Sequence, residues 1–393
     1  MPVEQGDRKR VLVLSASVGA GHTQAARAIV EGLAPYAAEL EVRAVDVLNF
    51  APRLFRAFYA RGYAFLVSYL PRLYGVGYWL TDRPDGPTRS LMERRRLRRE
   101  RRAMGPLIEL LLGRRWDLLV HTHFLAPPVA AFLRDRGRLD CPQLVAVTDN
   151  VVHRYWYSEH VDHWFLSADL GRRRLIRWGV PAERITVSGM PVHPKWLRPA
   201  ERERVLAEWH LPAGRPIVLL AGGADFVCGP VVPVARELSG GADGPCVVVL
   251  GGRNKKLLAD LAGIDRPADR LVSLAFTDRA AELAAAAKLI ITKAGGATTA
   301  ECLAKRLPMV LLPPVPGQEA GNARYFEREG AAVIARDAGD ACVQARRLLG
   351  DAAALEAMAR RAGELYRPAV ETVVGAVRTI LGFERTPGSL SGG

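Results

Sequence analysis

The chain has 393 residues, 49% of them apolar, a formal net charge of +14 and five cysteines. That is too long for one ordinary core and enough apolar material for two, and no stretch approaches the roughly 20 apolar residues that span a bilayer. The cysteines (Cys141, Cys228, Cys246, Cys302, Cys342) stand singly, with no CxxC or Cys/His spacing, which excludes a disulfide framework and points to reduced thiols in a cytosolic protein.

The basic start at residues 8–10 leads into an apolar run at 11–14 that is far too short for a signal peptide, so 11–15 reads as a first buried strand. A glycine loop follows, Ser15-Ala-Ser-Val-Gly19-Ala-Gly21-His22, and then a helix whose Ala26, Ile29, Val30 and Leu33 form one packed face. Gly19-x-Gly21 lacks the third glycine of the dinucleotide fingerprint, which argues against an oxidoreductase and against Asp46, at the end of a strand over 41–47, as its ribose-binding acid.

From 50 to 80 aromatic side chains crowd together with Arg53, Arg56, Arg61 and Arg72, and no acid occurs. The next basic run, 89–115, holds ten arginines against Glu93, Glu100 and Glu109, which is half of the net charge. Such a composition suits an interfacial segment on anionic lipid; a solvated helix over an aromatic core is the competing reading. Nothing here has the pattern of a nucleic-acid module.

Strands over 116–120 and 143–147 end in polar residues: His121-Thr-His123, and Thr148-Asp149-Asn150 with His153, Trp156 and Tyr157 beyond. Neither histidine pair has an acid at ligand spacing, so these groups suit substrate contact better than metal. A proline-rich linker at 189–199 separates this half from a second strand–helix series with strands at 217–221, 246–250, 271–275, 289–292, 309–312 and 332–334. Alternation of this kind implies a parallel sheet with right-handed crossovers.

In that second half the run Leu289-Ile-Ile-Thr292 stops at Gly295-Gly296, and a helix begins near Ala297 and ends before Pro308. Strand, glycine turn and helix N-terminus make an anion site, because bare N–H groups and the helix dipole both favour negative charge. Glu301 lies just over one turn into the helix; a carboxylate there would repel phosphate and suits a neutral diol such as ribose. The following loop, 313–322, gathers Gln318, Glu319 and Asn322 at the next strand's end, the amide and carboxylate groups that reading a sugar's hydroxyls requires.

Thr292-Lys293-Ala-Gly295-Gly296 with Glu301, then Pro316-Gly-Gln318-Glu319-x-Gly-Asn322, resembles the donor half of the monogalactosyldiacylglycerol synthase and processive diacylglycerol glucosyltransferase family. Ser17-x-Gly19-x-Gly21-His22, Val147-Thr-Asp149 with His153 and Trp156, and Gly189-Met-Pro-Val-His193 resemble its acceptor half, in the expected order. A more distant similarity is to the N-acetylglucosaminyltransferase that makes lipid II. The resemblance implies an α/β fold of GT-B type, two Rossmann-like doubly wound domains facing a central cleft. The boundaries expected are 1–195 for acceptor and membrane binding, 196–365 for the donor, and 366–393 for a helix returning to the first domain plus a tail.

Further donor contacts follow from the same resemblance: Gly222 and Gly223, where the family has a longer glycine run; Arg253 and Asn254 of Gly251-Gly-Arg-Asn; Phe276 and Thr277, in the segment whose backbone reads uracil; Lys293 and Thr298 beside the glycine turn. On the acceptor side it implies Gly19, Gly21, His153 and Trp156. His22, at the tip of the first loop, suits the general base because histidine titrates near neutral pH; Asp149 is the rival, as base or as the carboxylate orienting His22. One base opposite the leaving group implies inversion and a β-linked sugar. No Asp-x-Asp occurs, so metal-free transfer from UDP-glucose or UDP-galactose to diacylglycerol is expected, with no cofactor and no nucleic acid, in a cytoplasmic protein held peripherally on the inner face of the membrane. A relative acting on an isoprenoid lipid or soluble acceptor, a UDP-sugar epimerase, and a non-catalytic membrane-binding protein are the other readings.

Overall fold

The computed structural model describes residues 8–82, 90–221, 229–241 and 243–383. They form two compact units: the residues before 68 with 76–193 and those from 367 onward, and residues 68–75 with 194–366. The expected boundary placed 68–75 in the first domain, whereas this short segment clusters with the second unit.

The first unit opens with β1 (Lys9–Ser15), α1 (Ala20–Leu33) and β2 (Leu40–Asp46). Next come α2 (Arg53–Tyr69), α3 (Pro71–Thr81), α4 (Leu91–Ala103), α5 (Gly105–Leu112), β3 (Leu118–His121) and α6 (Pro127–Arg134). It continues through β4 (Gln143–Ala146), β5 (His163–Leu166), α7 (Asp169–Arg177) and β6 (Ile185–Val187). The sheet is parallel, ordered β2-β1-β3-β4-β5-β6. Its central strands are continuous apolar runs because helices cover both faces. Leu12 and Leu14 of β1 pack with Leu107 and Leu111 of α5 and Val129 and Leu133 of α6. Val11 and Val13 point the other way, onto Ile29 and Leu33 of α1.

The second unit runs α8 (Arg202–Glu208), β7 (Ile217–Ala221), α9 (Val231–Leu238), β8 (Cys246–Gly252), α10 (Lys255–Ala262), β9 (Leu271–Ala275) and α11 (Ala280–Ala286). Then follow β10 (Leu289–Thr292), α12 (Gly296–Ala304), β11 (Met309–Leu311), α13 (Gln318–Arg328), β12 (Ala332–Ile334), α14 (Ala338–Leu349) and α15 (Ala352–Leu365). Its parallel sheet has the order β12-β11-β10-β7-β8-β9. Val218, Val247, Leu289 and Val310 meet α9 and α14 through Val234, Leu238, Ala345 and Leu348.

The final helix, α16 (Ala369–Ile380), belongs to the first unit and joins its core through Val370, Val373 and Val377. Gly32 permits this approach: a Cβ there would lie 2.3 Å from Val370 Cγ1. Helix α15, also read from sequence as returning to the first domain, instead packs on α12 and α14. The expected tail beyond 383 lies outside the described residues.

Both sheets reverse direction at one point, between β1 and β3 in the first unit and between β7 and β10 in the second. In open α/β sheets ligands bind at the carboxyl ends of the strands at such a point. Each unit therefore has one place where a site belongs.

Candidate active site

In the first unit the switch point is occupied by His22. The loop after β1 turns at Gly19, whose φ of 78° suits glycine, and α1 starts at Ala20 with no side-chain cap and no acid in its first turn. Asp46 braces the loop through its carboxylate, which accepts from the Ser17 and Leu48 amides, so this acid has a structural task. His22 Nδ1 lies 2.9 Å from the Thr122 carbonyl oxygen, just past β3, and 2.8 Å from Thr148 Oγ1, just past β4. Thr122 Oγ1 in turn donates to the His22 carbonyl at 3.0 Å. Since a carbonyl only accepts, Nδ1 carries the hydrogen and the lone pair is on Nε2.

Around this ring stand His123, edge-on at 4.4 Å, and Trp156 at 5.9 Å, with Phe124 stacked on His123 at 4.1 Å and Tyr59 at 6.4 Å from it. Their bulk removes water from the imidazole, and burial lowers the His22 pKa to about 4 against the opposing effect of the Thr122 bond. The ring is thus neutral at pH 7, not poised near its titration point as its residue type suggested. Burial first, then His22, holds His123 well below the ordinary histidine range; its Nδ1 accepts from the Leu125 amide. His121 is fully buried, bonded to Gln143 Oε1 at 3.1 Å, with its pKa lowered to about 3 by burial.

In the second unit the switch point carries Lys293-Ala-Gly295-Gly296. Gly295 is the N-cap of α12 and offers no side chain, so the first N–H groups of the helix, from Gly296 to Thr298, point outward without a side-chain cap among the described residues. The turn is braced from below: Asn322 Nδ2 donates to the Ala294 carbonyl at 3.1 Å, and Thr299 Oγ1 donates to the Gly295 and Gly296 carbonyls at 2.9 and 3.0 Å. One turn on, Glu301 accepts a hydrogen bond from the Trp196 side chain. Burial raises its pKa to about 8, with Lys195 opposing, so without a ligand it is mostly the protonated acid at neutral pH.

Beside this turn Lys293 Nζ pairs with Glu319 Oε1 at 3.4 Å, and Gln318 opens α13 after Gly317, whose φ is 105°. At the carboxyl ends of β8 and β9, the Arg253 guanidinium lies 4.2 Å over the exposed Phe276 ring.

Two family models match the chain: monogalactosyldiacylglycerol (MGDG) synthase over residues 22–192 and the glycosyltransferase family 28 C-terminal domain over residues 247–361. A processive diacylglycerol beta-glucosyltransferase of Bacillus cereus (strain 03BB102) is 29% identical over 368 residues, covering 91% of this chain and 90% of the relative. The chain belongs to the monogalactosyldiacylglycerol synthase and processive diacylglycerol glucosyltransferase family. Among solved structures, Acinetobacter baumannii MurG matches at a TM-score of 0.60 with 17% identity, over 94% of this chain and 99% of that one. The UDP co-structure of S. aureus MnaA matches at 0.63 with 14% identity, over 98% and 100%. These likenesses give the fold, which is of the GT-B type expected, and the family makes this chain a glycosyltransferase.

Set in this glycosyltransferase frame, the residues named from sequence divide into two groups. Gly19, Gly21 and His22 stand at the first switch point, and Lys293, Gly295, Gly296, Thr298 and Glu301 at the second. Others are engaged with the protein itself. His153, expected at the acceptor, is buried, accepting from the Tyr155 amide at Nδ1 and meeting the Tyr78 carbonyl at Nε2, and so fastens the end of α3. Trp156, also expected there, is buried and donates to Asp149 Oδ2 at 3.1 Å. The groups orienting His22 at Nδ1 are thus the Thr122 carbonyl and Thr148 hydroxyl, the task proposed for Asp149. Asn322, expected to read sugar hydroxyls, is fully buried. Asn254 caps α10 by accepting from the Leu257 amide, and Thr277 Oγ1 accepts from the Arg279 amide. Gly222 and Gly223 lie outside the described residues. Thr122 and Thr148 were not singled out from sequence; their only signal is a hydroxyl immediately past the end of an apolar strand.

The basic stretch also divides. Arg96 bonds both oxygens of buried Glu100 and lies over Tyr155; Arg101 lies over Phe132; Arg114 pairs with Glu41 and covers Trp116. Arg95, Arg98, Arg99 and Arg102 share the outer face of α4, which begins with exposed Leu91 and Met92. Among the aromatics, Phe50, Phe55 and Tyr59 pack on the core, whereas Phe65, Tyr69 and Trp79 are exposed, Trp79 by 64%. No helix of the described residues is long and apolar enough to cross a membrane.

Proposed function

We propose that the protein transfers a hexose from UDP-glucose or UDP-galactose to diacylglycerol at an anionic membrane surface, with inversion, to give a β-glycosyl lipid. The observation that carries the donor half is the uncapped, glycine-opened N-terminus of α12 with Glu301 one turn along it. The N–H groups from Gly296 to Thr298 receive the diphosphate, and Glu301 takes the ribose hydroxyls, ionising as it does so. The UDP in the MnaA co-structure supports the nucleotide, and the name of the Bacillus cereus relative supports diacylglycerol and favours glucose.

His22 is the base. Its Nε2 lone pair takes the acceptor hydroxyl's proton while charge builds on the departing diphosphate, where the helix N-terminus and Arg253 stabilise it without a metal ion. An imidazole neutral at pH 7 is already in the accepting form, and the aromatic wall around it excludes water from competing with the lipid hydroxyl. Asp149, next to Thr148 and bonded to Trp156, remains the second candidate for the proton. The outer face of α4 and the exposed apolar side chains of α2 and α3 hold the protein peripherally on the inner, anionic leaflet.

The deciding experiment offers UDP-glucose, UDP-galactose and UDP-N-acetylglucosamine with diacylglycerol in mixed micelles and follows UDP release and glycolipid formation. Release that depends on diacylglycerol, and survives a metal chelator, is the expected result. Conversion of one UDP-sugar into another without lipid would make the protein an epimerase instead, and release requiring a soluble or isoprenoid acceptor would replace diacylglycerol.

A further inference from the structure

His22 sits where three neighbouring strand ends meet. β1, β3 and β4 are adjacent in the sheet, and each delivers one part of a small cluster: the loop after β1 brings the imidazole, β3 the Thr122 peptide, and β4 the Thr148 hydroxyl. The Thr122 contribution is a two-point clasp, its carbonyl on the ring and its hydroxyl on the His22 carbonyl. That clasp fixes the backbone of His22 and requires a hydrogen on Nδ1. By itself it leaves the ring one bond about which to rock. The Thr148 hydroxyl, 2.8 Å from the same nitrogen, approaches from the next strand and gives the Nδ1–H a second acceptor.

We infer that Thr148 is a positioning residue for this enzyme: with the Thr122 carbonyl, its hydroxyl holds the His22 ring in the Nδ1–H tautomer with the Nε2 lone pair facing the acceptor. Thr148 touches no reacting atom. It acts only through the imidazole, by holding its angle and by stabilising the imidazolium formed when Nε2 gains a proton, because an Nδ1–H with two acceptors bears that charge better than one with a single acceptor. The inference rests on His22 serving as the base proposed above.

The test uses the full chain labelled with 15N-histidine, in which the His22 signals among the eight histidines are those lost in His22→Ala. The ligand-free protein is expected to show Nδ1 protonated and Nε2 bare; Nε2–H in the native protein overturns the inference. In Thr148→Val, nearly the same in shape but without the hydroxyl, the His22 Nδ1–H resonance moves and kcat falls about tenfold while KM for the UDP-hexose is unchanged. Thr148→Ser, which keeps the hydroxyl, recovers most of that loss and the native resonance. Native kcat in Thr148→Val overturns the inference, and so does a lowered kcat with the His22 resonances unmoved. If Thr148→Val does not fold, the Thr148→Ser and native spectra decide, since a serine hydroxyl that leaves kcat tenfold down with the native resonance equally overturns it. Unreduced turnover in His22→Ala would remove the base assignment itself, while the native ring signals still report the tautomer.

Discussion

His22 and Thr122 are bonded to each other twice, ring to carbonyl at 2.9 Å and hydroxyl to carbonyl at 3.0 Å, across 100 residues of sequence. The pair joins the loop after β1 to the end of β3, the two strands that flank the switch point. The same contacts that orient the imidazole also bury it.

Burial of that ring sets the pH dependence. A base works only when unprotonated, so a histidine of ordinary pKa would give an acid limb in kcat/KM near 6.5. With the His22 pKa lowered to about 4, activity should stay level as pH falls through 6.5 and decline only on approach to 4. Profiles of kcat/KM with diacylglycerol micelles measure this. His22→Ala should cut turnover about a hundredfold or more, the ordinary worth of a general base, and leave UDP affinity nearly intact.

Glu301 should couple UDP binding to proton release. Its pKa, raised to about 8 by burial, means that at pH 7 the free protein holds the proton, whereas ribose hydroxyls donate best to the carboxylate. Binding therefore expels a proton, and affinity should rise with pH until about 8 and then level off. Calorimetry in two buffers of different ionisation enthalpy reads the proton directly. Loss of a charge-assisted hydrogen bond costs about 1.5–3 kcal/mol, so Glu301→Ala should bind UDP about tenfold or more weakly, and Glu301→Gln should release no proton.

Asn322→Leu should lower both stability and UDP affinity. The side chain is fully buried and donates to the Ala294 carbonyl inside the phosphate turn. Removing the donor leaves a buried acceptor unsatisfied, which costs about 1–3 kcal/mol. Thermal unfolding measures the first effect and UDP titration the second; a residue contacting sugar alone would change only binding, and only for the UDP-hexose.

That case marks where sequence reading stops. The strand over 289–292, the glycine turn and the position of Glu301 were legible because period, glycine and helix phase are local properties. Asn322 and Glu319 were legible as polar residues at a strand end, but whether such a group faces a ligand or braces its own loop depends on contacts with Ala294 and Lys293. β5 and β6 went unread because His163-Trp-Phe-Leu166 and Ile185-Thr-Val187 are too short to display a period; they are strands because β4 offers them an edge to pair with. The arginine run showed its charge plainly and concealed that one face of it is spent inside the fold.

The two faces of α4 should respond oppositely to mutation. Arg96 binds Glu100 through both carboxylate oxygens at 2.9 and 2.8 Å, and both side chains are largely buried. Arg96→Ala leaves that acid without its partner; breaking a buried pair costs about 3–5 kcal/mol, so the variant should melt well below the native protein. Any loss of lipid binding in it should vanish under conditions where it is folded. Arg95, Arg98, Arg99 and Arg102 are exposed, and each basic group near an anionic bilayer contributes about 1 kcal/mol within a Debye length of the surface. Replacing all four by glutamine should leave thermal unfolding almost unchanged and weaken sedimentation with anionic vesicles by about a hundredfold or more at low salt. Added salt should bring native protein and quadruple variant together, because only screened charge separates them. Equal binding of the native protein to neutral and anionic vesicles would mean that this face is merely solvated, and that the exposed Trp79, Leu91 and Met92 side chains alone reach the lipid.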